Sequence, residues 1–217
     1  MVEIRIYIEG GGEGNQTRAK LREGFSAFFS PIVALIRGNA NYTWHGPIAC
    51  GGRGGAFRDF CIALRKYPDA LNILLVDAED ELPSKVTRPT HRNWEHLKAR
   101  DGWDFPAGMD DSRCFLMIRC METWLIADKA ALAAFYGQNF NANALPKTAD
   151  LESVPKTTIA EGLKRATEKT KQGEYYKTKH AFDILRGVDV SFVRAAAPEC
   201  ERLFDSIEKR VALTVAT

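Results

Sequence analysis

A chain of 217 residues with 45% hydrophobic and 27% charged residues is long enough to bury a substantial core without disulfide or metal staples. Its formal net charge of +2 excludes the strongly basic footprint of a protein that coats nucleic acid, so any nucleic-acid contact must be local. Five scattered cysteines (Cys50, Cys61, Cys114, Cys120 and Cys200) with no Cys-x-x-Cys pair argue against a disulfide framework or a zinc cluster, and for reduced thiols in a cytoplasmic protein.

The N-terminal "MVEIRIYIEG" carries Glu3 and Arg5 and lacks the apolar core of a signal peptide, and no stretch approaches the ~18 uncharged apolar residues of a membrane span. Ile4, Ile6 and Ile8 alternate with Glu3, Arg5 and Tyr7, the period of a strand. A glycine loop, "EGGGEG", follows. "TRAKLREGFSAFFSPIVALIR" then places Leu21, Phe25, Phe28, Phe29, Ile32 and Leu35 at helical spacing. "TWHGPIACGG" reads as a second strand ended by glycines, and "AFRDFCIALRKYP" as a helix with Ala56, Phe60, Ala63 and Leu64 on one stripe. "ALNILLVDAED" is an aliphatic run stopped by acids, as expected of a strand covered on both faces. A long connection over roughly residues 80–111 precedes a fourth strand, "RCFLMIRC", and the helical "METWLIADKAALAAFYG".

This alternation predicts an α/β fold with a largely parallel sheet over residues 1–137. Residues 138–217 show no convincing strand; "TTIAEGLKRATEK", "YYKTKHAFDILRG" and "APECERLFDSIEKRVAL" predict a helical C-terminal extension of three helices.

In an open parallel sheet, ligands bind beyond the carboxyl ends of the strands. Acids gather there: Glu9 after the first strand, Asp77 and Glu79 after the third, Glu122 after the fourth. In an extended continuation, Asp77 and Glu79 point to the same side. Carboxylates brought together repel unless something positive lies among them, and Mg²⁺ or Mn²⁺ suits oxygen donors. Acids at strand ends also serve as helix caps, a reading weighed against the metal for each of them. Glu13, at the start of the first helix, favours the helix dipole. The loop is neither a dinucleotide fingerprint, since position 15 is Asn, nor a P-loop, which needs a Gly-Lys-Ser/Thr ending. Four dispersed histidines give no support to a nucleophilic triad.

The Glu-Gly pair in "YIEGGG", followed after a βαβ stretch by "LLVDAE", resembles the metal-dependent phosphoryl-transfer module known as Toprim, with Glu in place of the second Asp at position 79. Across residues 9–180, "EGGGEG", "CGGRGGAFRDF", "WEHLKARDGWDFPAG", "CMETWLIAD" and "GEYYKTKH" resemble a Toprim-related bacterial family of unknown function whose genes often neighbour those of ABC-type ATPases in phage-defence settings.

The resemblance and the residues together lead to one expectation, a Toprim-type nuclease acting on DNA or RNA, with Glu9, Asp77, Glu79 and Glu122 holding Mg²⁺ or Mn²⁺. Glu9 is alternatively a general acid or base. Lys177, Lys179 and His180 would supply positive charge to the phosphate, or form a solvated helix face. Lys98 and Arg100, beside Trp94 and Trp103, offer cations and stacking to a single strand, although a loop Trp is as often a packing anchor. Arg53, opening a helix after Gly51 and Gly52, is placed to grip a phosphate or to pair with one of the acids. The resemblance also implies an ABC-type ATPase partner. The rivals are a non-catalytic partner or regulatory subunit of an ATPase complex, and a small-substrate metallophosphatase.

Overall fold

Four strands, β1 (Val2–Ile8), β2 (Tyr42–Ala49), β3 (Leu71–Asp77) and β4 (Cys114–Met117), form one sheet in the order β2-β1-β3-β4 in the computed structural model, which describes residues 1–12, 14–83 and 87–213. Every pairing is parallel, so each connection is a crossover that lays helices on the sheet's faces. The chain runs from β1 outward to β2, then returns past β1 to β3. That reversal places the topological switch point, where ligands of such sheets bind, between β1 and β3.

The period of two divides the sheet's residues between two cores. Ile4, Ile6 and Ile8 of β1 share one face with Leu71, Ile73, Leu75, Phe115 and Met117. Tyr7 shares the other with Leu74, Val76, Cys114 and Leu116. The second core is closed by α3 (Arg53–Lys66), through Ala56, Phe60 and Ala63, and by α4 (Arg92–Asp101), through Trp94 and Leu97.

The first and larger core collects α1 (Asn15–Phe28), α2 (Ser30–Arg37), α5 (Met121–Ala127) and α6 (Lys129–Tyr136), and then the helices beyond residue 137: α7 (Lys156–Thr167), α8 (Lys177–Leu185), α9 (Val190–Ala196) and α10 (Pro198–Leu213). Phe28 of α1 stacks on Trp124 of α5 at 5.0 Å and meets Phe204 of α10 edge-on at 5.8 Å. The helices after 137 therefore share one core with the sheet.

Four expectations are refined. The helix expected over residues 17–37 is two, because Pro31 in the first turn of α2 lacks the amide hydrogen a continuing helix needs. The helix after β4 is also two: Asp128 ends α5 and caps α6, accepting the N–H groups of Ala130 and Ala131 at 3.0 Å each. The connection over 80–111 is not an open loop but contains α4. Its first amides, from Asn93 and Trp94, donate to the carboxylate of Asp111 at 3.0 and 3.2 Å. Among the described residues the C-terminal part has four α-helices rather than three, α9 being added and capped by Asp189. Glu13 lies outside the described residues. Among the described residues no helix is long and apolar enough to cross a membrane.

Candidate functional site

The carboxyl edge of the sheet is built from two glycine turns. Gly10 at φ 126° and Gly51 at φ 78° hold conformations a side chain resists. They pair reciprocally, the Gly10 N–H donating to the Gly51 carbonyl at 2.6 Å and the Gly51 N–H returning to Gly10 at 3.1 Å. This clasp joins the end of β1 to the end of β2. Beside it lies a cavity of about 280 Å³ lined by Glu9, Asp77, Glu79 and Lys177 together with the glycine turns.

Glu9 and Asp77 flank the switch point but approach it from opposite sides. Asp77 follows Leu75 on the face of the larger core, whereas Glu9 continues from Tyr7 toward the face covered by α3. Each meets a different cation. The Arg53 guanidinium, at the start of α3, donates from Nη1 to Glu9 Oε2 at 3.2 Å and to the carbonyl of Asp77, and from Nε and Nη2 to the two oxygens of Asp101 at 2.8 and 2.7 Å. The Lys177 ammonium, at the start of α8, donates to Asp77 Oδ2 at 2.9 Å and lies 3.4 Å from Glu122 Oε2. Asp77 Oδ1 accepts the Met121 N–H at 2.8 Å, which binds β3 to the first turn of α5.

Burial raises the Glu9 carboxyl above the usual range, the neighbouring Asp77 raises it further, and Arg53 only partly offsets both. The Asp77 carboxyl, 3% exposed, is raised mainly by burial despite the Lys177 ammonium beside it. Burial alone would lower Lys177, but Asp77 and Glu122 outweigh it and the ammonium is held charged. Both acids are thus desolvated, with Arg53 paired to Glu9 and Lys177 to Asp77.

Glu79 does not continue the strand. Its φ of 68° turns the chain into the left-handed region, so the shared orientation expected of residues 77 and 79 is lost, and its carboxylate pairs with Lys156 at the start of α7. Glu122 is buried in α5, with Oε1 accepting the Tyr175 hydroxyl at 2.9 Å and Oε2 making no hydrogen bond.

Other expected residues are placed as follows. His180 is buried with Nδ1 against the Tyr136 hydroxyl (3.0 Å) and the Tyr176 N–H (3.2 Å), its contacts being aromatic rather than with the acids. Burial lowers its pKa, which keeps the ring neutral. Lys179 is exposed on α8. Lys98 pairs with Asp104 at 2.7 Å, and Arg100 with Asp80 at 3.1 Å and Asp101 at 2.6 Å. Trp94 is completely buried and so offers no stacking face, while Trp103 is already stacked on Phe57 at 4.4 Å. Asp101, Lys156 and Tyr175 were not picked out by the sequence. Asp101 and Lys156 each stand at a helix terminus and reach the edge only through tertiary packing.

Among the described residues no group of three or more His, Cys, Asp or Glu side chains is gathered closely enough to hold a metal ion. The donor type is nonetheless the one hard divalent cations take: every candidate donor is a carboxylate oxygen, Glu9 and Asp77 are desolvated, and Glu122 Oε2 is buried without a hydrogen bond, 3.4 Å from the Lys177 ammonium.

A family model described as a domain of unknown function, DUF4276, matches residues 8–208. No curated protein and no solved structure matches the chain.

Proposed function

Taking the chain as the member of the DUF4276 family that this match makes it, we propose that it is a divalent-cation-dependent phosphoryl-transfer enzyme of the Toprim type, a nuclease acting on DNA or RNA. One observation carries the reading: two desolvated carboxylates, Glu9 and Asp77, line a cavity at the switch point of a parallel sheet, beside glycine turns that leave backbone clearance.

In this reading Glu9, Asp77, Glu79 and Glu122 would hold Mg²⁺ or Mn²⁺. Bound there, the cation supplies Lewis-acid stabilisation of charge on the phosphodiester and lowers the pKa of an attacking water. The chain's own residues do the rest. Arg53, whose planar fork is committed to Glu9, the Asp77 carbonyl and both oxygens of Asp101, holds Glu9 in place at the edge. Lys177 brings a held positive charge to the same cavity, which it lines beside Asp77 with its side chain 45% exposed. His180, buried and neutral, orients Tyr136 and the start of α8 rather than moving a proton at the edge. An ABC-type ATPase partner and a phage-defence setting belong to the same proposal, supported by the sequence resemblance alone.

The pairing of Glu9, Asp77 and Glu79 with Arg53, Lys177 and Lys156 favours a second reading, a non-catalytic Toprim-like binding module whose acids are structural. Incubation of the protein with single- and double-stranded DNA and RNA in Mg²⁺ or Mn²⁺, beside Glu9→Ala and Asp77→Ala, decides between them. Metal-dependent cleavage abolished by both substitutions is expected. Cleavage that survives both removes the proposed site, and absence of cleavage together with absence of Mn²⁺ binding by calorimetry leaves the binding module.

A further inference from the structure

A second cavity of about 260 Å³ opens next to the carboxylate edge, between α7 and the segment leading into α8, and shares Lys177 with the first. Its character is different. One wall is apolar, made by Ile159, Ala160 and Leu163 on a single face of α7. Tyr175 also lines it, its hydroxyl donating to Glu122 at 2.9 Å. Three lysines, Lys156, Lys164 and Lys177, line it with two glutamates, Glu122 and Glu174; Lys156 pairs with Glu79, Lys164 lies 3.7 Å from Glu174, and Lys177 lies 2.9 Å from Asp77. Residues 155–180, which build these walls, hold seven Lys or Arg against three Glu and no Asp, a local excess that the chain's net charge of +2 conceals.

The size is that of roughly nine waters at ~30 Å³ each, below the range of drug-sized pockets, so the space suits one ring system rather than an extended peptide. An apolar slot flanked by an aromatic ring accepts a flat heteroaromatic ring, and stacking on such a ring does not depend on which base is present. The buried Glu122 Oε2, without a hydrogen bond and 3.4 Å from the Lys177 ammonium, is a further acceptor in the lining. A rim with three lysines against two glutamates, its Lys164 pair with Glu174 exposed and therefore weak, is complementary beside an apolar slot to a ligand that is flat at one end and anionic at the other.

We propose that this cavity is a nucleotide subsite, receiving the base of the unit whose phosphate lies at Lys177 and the carboxylate edge. The inference rests on the phosphoryl-transfer reading for the identity of the neighbouring site and gives that site its substrate class: an unpaired nucleotide unit, supplied either as a free mononucleotide or within a single strand. A base stacked in a duplex does not reach such a slot without leaving its stack.

Calorimetric titration of the metal-free full chain with cytidine 5′-monophosphate, a short single-stranded oligonucleotide and inorganic phosphate tests it. Ala160 is exposed, so Ala160→Trp fills the slot from a surface position, Ala160→Leu is the milder filling, and Lys164→Glu alters only the rim. The expected result is at least tenfold weaker binding of nucleotide to Ala160→Trp, an intermediate loss for Ala160→Leu, and unchanged affinity for inorganic phosphate, with thermal unfolding preserved. Lys164→Glu should weaken all three ligands. Binding of the oligonucleotide but not the mononucleotide, still lost on filling the slot, identifies the strand as the source. Neither binding to the wild-type chain, or binding indifferent to both Ala160 substitutions, overturns the proposal. Mn²⁺ titration run in parallel separates the two claims: slot-dependent nucleotide binding without Mn²⁺ binding sinks the phosphoryl-transfer reading and keeps the subsite, and the reverse pattern does the opposite.

Discussion

Lys177 stands between Asp77 and Glu122, two carboxylates with side chains only 5% and 10% exposed. Removing the ammonium leaves both acids buried and uncompensated, a situation that costs several kcal/mol when the pair is fully buried. Because the lysine is itself 45% exposed, Lys177→Met is expected to lose less, ~1–3 kcal/mol in urea denaturation. Added Mn²⁺ should then raise the midpoint of the variant more than that of the wild type, since the vacated position between two acids is open to another cation. An equal shift in both proteins counts against a cation position there. A second residue-scale effect lies at the opposite edge of the sheet. Burial pushes Glu152 up to about 7 while its Oε1 accepts the N–H of Glu199 at the start of α10. A carboxyl raised in the folded state costs stability when ionised; that cost is absent below the unfolded value of ~4.3, grows as pH rises, and is complete above about 7. Glu152→Gln keeps an acceptor and should flatten the fall in stability between pH 5 and pH 8 that is expected of the wild type in chemical denaturation. The presence of Glu9 and Asp77 at one edge was legible because both end strand-like runs. Their approach from opposite sides was not, because it depends on the register between β1 and β3 rather than on either run alone.

Elements were legible where their signals are local. β1 and β3 announce themselves by alternation and by an unbroken aliphatic run, and both are found. α4 was missed because the group that satisfies its first amides is Asp111, seventeen or more residues away, so no capping residue precedes it in sequence. Its apolar pair, Trp94 and Leu97, is too short a stripe to outweigh the surrounding charge. Close approach of helices is equally hidden. A Cβ at Gly24 of α1 would lie 2.8 Å from the Phe182 carbonyl of α8, a backbone atom that moves only with its helix. Gly24→Ala gains ~1 kcal/mol of helix propensity but forces this overlap, which typically costs ~1–3 kcal/mol. The net expectation is a loss of stability by chemical denaturation, together with an altered environment for Lys177, since the same helix carries it. Unchanged ¹⁵N–¹H shifts along α8 in the variant would contradict the close packing.

At the scale of the whole molecule, the alternation of strands and helices made a parallel α/β sheet legible, whereas the order β2-β1-β3-β4 was not, because the direction of each crossover leaves no mark in the chain. The core of the larger face runs from Ile4 to Val211 and is closed by Phe204 against Phe28 and Phe29. A fragment ending at residue 137 would uncover that face, and is expected to show no dispersed amide spectrum when expressed alone. A well-dispersed spectrum from the fragment would show that the sheet does not need the later helices. The Gly10–Gly51 clasp has a mechanical consequence for this architecture. Because it ties the loops after β1 and β2 together, Glu9 and Arg53 ride on one stiff jaw, whereas Lys177 rides on α8, packed against α1 on the opposite face. The width of the cleft is therefore set by how α8 seats on α1, with the glycine-bound jaw as its fixed anvil.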